Sequence, residues 1–206
     1  MAQDKGPRDD RWYFSLMAPN TKGDKFAWLD PTSIYINGKA YHDLLDDLVA
    51  DLNKDDIDVV AGLDAMGFVL AAGIAARIGK GFLPIRKSGK LCVDTDSASM
   101  TNYSGQTQSM EMCLPAFAPG TRVLLVDQWV ETGGTMYGAV QLVEQQKGTV
   151  AGMVAIVMEE NENTKSYRDL YKVVTAIQPG TEWQRQANAQ YLESFKTYKP
   201  EMAFPV

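Results

Sequence analysis

Histidine and cysteine are nearly absent from this chain, which has one histidine, His42, and two cysteines, Cys92 and Cys113, among 206 residues. A lone histidine without a partner set gives no Ser-His-Asp arrangement and no histidine-rich metal cluster, so the standard hydrolase and zinc chemistries are excluded. The two cysteines lack metal-ligand spacing and are expected as free thiols rather than a disulfide scaffold. No apolar run reaches membrane-spanning length, no stretch reads as a signal peptide and no internal repeat is present, so a soluble, cytoplasmic protein without a membrane partner is expected. Basic residues are outnumbered, 20 Lys and Arg against 26 Asp and Glu, for a net charge of −6. That balance argues against nonspecific nucleic-acid binding.

What the chain does have is apolar material in short, regularly spaced blocks. With 45% hydrophobic residues, it can bury one substantial core and is too short for two comfortable domains. Residues 57–63, 82–86, 122–126, 150–158 and 171–177 read as strands. Residues 68–78, 135–146 and 164–170 read as helices between them, and residues 107–112 as a possible further strand. This alternation predicts an α/β fold with a doubly wound, mainly parallel sheet and flanking helices. Leu44, Leu45, Leu48, Val49 and Leu52 fall at helical spacing within residues 42–53, and the Asp residues between them are expected to form a solvated face.

Residues 123–135 carry the strongest functional signal. Four apolar residues, Val123, Leu124, Leu125 and Val126, run into Asp127 and Gln128. Then Glu131, Thr132, Gly133, Gly134 and Thr135 lead into a helix. Adjacent glycines let backbone N–H groups turn toward one point, two threonines add hydroxyls and the helix start adds positive dipole, so a phosphate monoester fits there. The alternative is an ordinary strand-turn-helix with glycine at the turn. Ligand loops at Asp64, Arg86 and Asp127 all follow strands, which brings them to the carboxyl edge of the sheet, where open α/β sheets bind ligands.

The stretch resembles the phosphoribosyl-diphosphate signature of type I phosphoribosyltransferases. Two further stretches resemble the adenine branch of that family: residues 57–68, which include Asp64, Ala65, Met66 and Gly67, and residues 84–91, which include Arg86, Lys87 and Lys90. The likeness spans roughly residues 55–160. It implies a single domain over 1–206, with residues 1–40 as a small hood over the base, 41–178 as the core and 179–206 as a C-terminal extension. It also implies transfer of 5-phosphoribosyl from phosphoribosyl diphosphate to a purine-like base, with Mg²⁺, in a homodimer.

On that likeness, Thr132, Gly133, Gly134 and Thr135 hold the 5′-phosphate, and Asp127 with Gln128 holds the ribose hydroxyls. The backbone of Ala65, Met66 and Gly67 holds the diphosphate together with Arg86, Lys87 and Lys90. Residues 93–108 form a flexible flap, and Phe26, Trp28 and Leu29 form an apolar wall against the base. Three departures stand out. Gln128 replaces a second acid and Met66 an arginine, while Asn102, Tyr103, Ser104 and Gly105 stand where the adenine enzymes carry a flap glutamate. Glu131, inside the phosphate loop, is the candidate acid/base group in its place; the alternative for Glu131 is simple charge complementarity at a helix start. Two other functions remain open: a noncatalytic binder of nucleotides or phosphoribosyl diphosphate, and an enzyme of the same fold that cleaves a nucleotide's glycosidic bond.

Overall fold

The computed structural model describes residues 8–18, 29–101, 107–182, 185 and 201. The chain divides into two compact units, one built from residues 1–47 and 176–206 and the other from residues 48–175.

The larger unit is an α/β sheet structure. Its strands are β1 (Val59–Leu63), β2 (Gly81–Lys87), β3 (Thr95–Thr101), β4 (Thr107–Cys113), β5 (Arg122–Val126), β6 (Trp129–Val130), β7 (Thr149–Ala155), β8 (Val157–Met158) and β9 (Val173–Thr175). Seven of them form one sheet in the order β3-β4-β2-β1-β5-β7-β9, and β6 pairs with β8 in a separate two-stranded ribbon. Contacts between β2, β1, β5, β7 and β9 are parallel, while the β3–β4 hairpin joins the edge of β2 antiparallel.

The doubly wound, mainly parallel sheet expected from the alternating blocks is therefore present. In β1 and β5 the last four residues are all buried, as happens when helices cover both faces of a parallel sheet. The core built there includes Leu63, Ile85, Met110, Met112, Leu125 and Met153, and each such side chain contributes roughly 1.5–3 kcal/mol through burial.

The helices of this unit are α4 (Gly67–Ile78), α5 (Gly134–Gln145) and α6 (Glu162–Leu170). Ala-rich α4 ends at Gly79, whose φ of 70° supplies a left-handed C-cap. The start of α6 is fixed by a capping box between Asn161 and Thr164.

Several boundaries differ from the sequence reading. The strand expected over 150–158 breaks at Ile156, which lets β8 leave the main sheet and pair with β6. The strand expected over 171–177 contracts to β9. Much of the polar stretch expected as a flap is regular: Thr95 through Thr101 pair in register with Cys113 through Thr107. Hydroxyl and amide side chains conceal that strand because a hairpin needs only backbone pairing and one apolar face, here Ala98 and Met100. Residues 102–106 lie outside the described residues.

The smaller unit contains α1 (Asp10–Ser15) and α2 (Thr32–Ile36), and α3 (Gly38–Ala50) begins in it. Two Asp residues of α3, Asp43 and Asp47, do not belong to the solvated face expected of them. Asp43 is 6% exposed, pairs with Lys39 at 2.6 Å and lies 3.5 Å from Arg8. Asp47 accepts from Arg8 Nε at 2.7 Å and from the Tyr13 hydroxyl. A periodic pattern cannot show that a partner from the N-terminal segment reaches the polar face of a helix. Leu29, expected in the apolar wall, is 1% exposed and packed in the core of its unit, while Phe26 and Trp28 lie outside the described residues.

Candidate functional site

Strand register brings three loops together. Leu63 aligns with Ile85 on β2, and Gly62 with Val126 on β5, so Asp64, Arg86 and Asp127 leave adjacent strands at one carboxyl edge. The Asp64 N–H bonds the Ile85 carbonyl at 3.0 Å, and the Asp127 N–H bonds the Val154 carbonyl at 3.1 Å.

The first helix turn of α4 approaches the strand end at Asp127 so closely that a Cβ on Gly67 would sit 2.7 Å from the Val126 carbonyl and 3.1 Å from the Asp127 Cα. Only glycine lets these two loops touch. Burial pushes the Asp127 carboxyl up to about 7, against the opposing pull of the Gln128 N–H, which it accepts at 2.7 Å. Such a carboxylate gains from any ligand that brings hydroxyl donors to it.

The phosphate-sized loop is as open as its sequence implies. Gly133 adopts φ 85° and caps α5 without a side-chain hydrogen bond. Among the described residues the amides of Thr132 and Gly133 meet no acceptor, and the Gly134 amide makes only a 3.5 Å contact with Thr132 Oγ1. On the α6 side of the loop, a cavity of about 640 Å³ is lined by residues 132–134 together with Ser99 and Thr107 of the hairpin and Asn163 and Tyr167 of α6; Asp127 and Glu131 do not border it. Glu131, at the loop entrance, is half-buried, and burial raises its pKa.

The cations divide into two kinds. Arg86 Nε lies 3.4 Å from Asp64 and its Nη1 bonds the Lys90 carbonyl at 3.3 Å, so its charge is partly offset within the protein. Lys87 and Lys90 are exposed, and neither ammonium group forms an ion pair among the described residues. Met66, 38% exposed, stands at the N-cap of α4 where it offers no charge. No group of three or more potential metal ligands occurs among the described residues.

Two carboxylates escaped the sequence reading. Glu111, flanked by the buried Met110 and Met112, is itself 5% exposed. It accepts the N–H groups of Gly89, Lys90 and Leu91 at 2.9, 2.7 and 2.7 Å, which hold its pKa low and set the turn that presents Lys90. Glu159 accepts from Trp129 Nε1 at 2.8 Å, and burial together with the nearby charge of Glu131 raises its pKa. The β6–β8 ribbon places them: Val130 aligns with Met158, so the next residues, Glu131 and Glu159, emerge side by side. A two-residue ribbon leaves no periodic trace in a sequence, and a glutamate between methionines carries no sign that three amides will meet it.

A parallel sheet with an open phosphate loop and a carboxylate at one strand edge defines a protein that binds sugar phosphates or nucleotides. The model of the phosphoribosyl transferase domain matches residues 32–193, and the chain belongs to that family. It is 41% identical over 128 residues to an adenine phosphoribosyltransferase of Thermobifida fusca (strain YX), covering 62% of this chain and 72% of that protein. It is 49% identical over 105 residues to one from Chlorobium phaeovibrioides (strain DSM 265 / 1930), covering 51% and 59%. Among solved structures, the adenine phosphoribosyltransferase of Thermoanaerobacter pseudethanolicus ATCC 33223 aligns with a TM-score of 0.69 at 29% identity, over 78% of this chain and 93% of that one.

Proposed function

We propose that this chain is a purine phosphoribosyltransferase of the adenine type, joining 5-phosphoribosyl from phosphoribosyl diphosphate to a ring nitrogen of the base and releasing diphosphate. The observation that carries this reading is a buried carboxyl, Asp127, at the carboxyl end of β5, followed five residues on by the open amides of residues 132–134 at the start of α5. The names of relatives up to 49% identical point to adenine as the base.

Each group has a role in that reaction. The amides of Thr132, Gly133 and Gly134, with the Thr135 hydroxyl and the α5 dipole, hold the 5′-phosphate. Asp127 accepts the ribose hydroxyls, with Gln128 beside it. Lys87 and Lys90, joined by the backbone at Ala65, Met66 and Gly67, meet the diphosphate. The bond between C1′ and the diphosphate oxygen breaks with its electron pair leaving on diphosphate, the bond from C1′ to the base nitrogen forms, and the ring proton that is displaced passes to Glu131. That carboxyl stands at the loop entrance with no donor bonded to it among the described residues, and burial raises its pKa, which favours its taking up a proton.

Mg²⁺ fits this donor set. With no cluster of protein ligands among the described residues, the ion would be held by substrate phosphates and ribose hydroxyls, with Asp127 supporting the latter and water completing its octahedron. Bound there, it would offset charge on the departing diphosphate. A homodimer and a cytoplasmic location belong to this reading as well, and no helix among the described residues is long and apolar enough to cross a membrane.

A second reading is favoured by Met66, which leaves the Ala65–Gly67 turn without a cation: a noncatalytic binder of nucleotides or phosphoribosyl diphosphate. Diphosphate release from phosphoribosyl diphosphate and Mg²⁺ with a panel of purine bases separates the two. Base-dependent release, strongest with adenine, is expected. Tight nucleotide binding with no release from any base would establish the binder, and release without a base would indicate hydrolysis.

A further inference from the structure

The phosphate loop is turned by side chains from a segment thirty residues further along. Three successive carbonyls of the loop are each taken by a donor from α6 or its N-cap: Glu131 by Asn161 Nδ2 at 2.7 Å, Thr132 by Asn163 Nδ2 at 3.0 Å and Gly133 by the Tyr167 hydroxyl at 2.9 Å. The peptides between these residues are trans, and in a trans peptide the carbonyl of one residue and the N–H of the next point in opposite directions. Holding the carbonyls of residues 131, 132 and 133 toward α6 therefore aims the N–H groups of residues 132, 133 and 134 the other way. Those are the amides that the protein leaves open.

Two of the three donors, Asn161 and Tyr167, are themselves held. Asn161 is the N-cap of α6, and its Oδ1 accepts the Thr164 N–H at 3.1 Å, so its amide group has one orientation. Tyr167 is 7% exposed and its phenol is pushed up to about 12, chiefly by burial, so it remains a donor throughout the physiological range. The Gly133 carbonyl takes both this hydroxyl and the Tyr137 N–H of the first α5 turn, at 2.9 Å each. The ring lies so close that a Cβ on Gly133 would be 2.9 Å from Tyr167 Cε2.

We propose that Asn161, Asn163 and Tyr167 are positioning residues for the 5′-phosphate, acting by taking the loop's carbonyls so that its amides converge on the anion. They touch no reacting atom. The proposal rests on the reading of residues 132–135 as the 5′-phosphate cradle, and it assigns α6 to substrate binding rather than to support of the sheet alone.

The test uses the full chain and the variants Tyr167→Phe, Asn163→Ala and their combination, with binding of ribose 5-phosphate measured by calorimetry and steady-state kinetics measured with both substrates. Asn163 is exposed, so its replacement spares the core, and Tyr167→Phe removes one oxygen. Each single change is expected to weaken ribose 5-phosphate about three- to tenfold, the usual effect of losing one hydrogen bond. KM for phosphoribosyl diphosphate should rise in parallel, while KM for the base and kcat at saturation stay within about twofold. Unchanged ribose 5-phosphate affinity in both single variants and their combination, with the wild type binding normally, would overturn the positioning role. A uniform loss of kcat and of affinity for both substrates would mark a merely structural role. Failure of the wild type to bind ribose 5-phosphate at all would overturn the cradle itself, and the proposal with it.

Discussion

At the scale of single residues, the chemistry gathers on carboxylates whose surroundings differ. Glu131 meets no donor among the described residues and is raised by burial, whereas Glu111 is satisfied by three amides and lowered. Only the first is available to exchange a proton. Glu131→Gln keeps size and polarity and removes that capacity, so kcat should fall about 100-fold or more, in keeping with general acid/base contributions. Affinity for ribose 5-phosphate should hardly change; equal losses in turnover and affinity would show Glu131 to be a binding group instead. Glu131, Asp127 and the Thr-Gly-Gly-Thr loop could be singled out in the sequence as candidates because the pattern that marks them is made by neighbours in the chain. Glu111, Glu159 and the Asp43–Arg8 pairing were not, because each depends on a partner at least twenty residues away.

At the scale of elements, the site is made by close approach between segments. Gly67 begins α4 against the end of β5, and the two nearest atoms that a methyl group would meet are backbone, which cannot rotate aside. Gly67→Ala should therefore displace the first turn of α4 from Asp127. The expected result is a lower melting temperature, by about 2–4 °C per kcal/mol lost in a protein of this size. On the proposed function, a larger effect should appear on phosphoribosyl diphosphate affinity than on base affinity, because that reading assigns the loops at residues 65–67 and 127 to this substrate. A variant with wild-type stability and affinity would show that the two loops can separate without cost. The main strands and helices were readable from apolar runs and their spacing, and the errors cluster where pairing is short or polar. The β6–β8 ribbon has only two residues per strand, and the polar β3–β4 hairpin is held by backbone pairing.

At the scale of the whole molecule, the shifted carboxylates set how stability responds to pH. Asp127, Glu131 and Glu159 have folded pKa values above their ordinary ones. Above the ordinary carboxylate range, up to about 7 in the case of Asp127, the folded protein keeps protons that the unfolded chain has released. Their contribution therefore falls as pH rises through that window. Glu111 and Asp58 are shifted the other way, Asp58 by Arg122, and their contribution is lost as pH falls below the ordinary carboxylate range. The ligand-free protein should accordingly melt higher at pH 5 than at pH 8, and Asp127→Asn should narrow the gap by calorimetry; an unchanged gap would show that Asp127 ionises freely.

The order of the chain has one more effect. The signature at residues 123–135 is complete well before Asn161, Asn163 and Tyr167 have been synthesised, so a growing chain displays the whole motif with its carbonyls unheld. If the loop is the proposed cradle, competence to grip a sugar phosphate arrives late in translation, when α6 emerges, and a product truncated before residue 161 would carry the family's hallmark while lacking its grip.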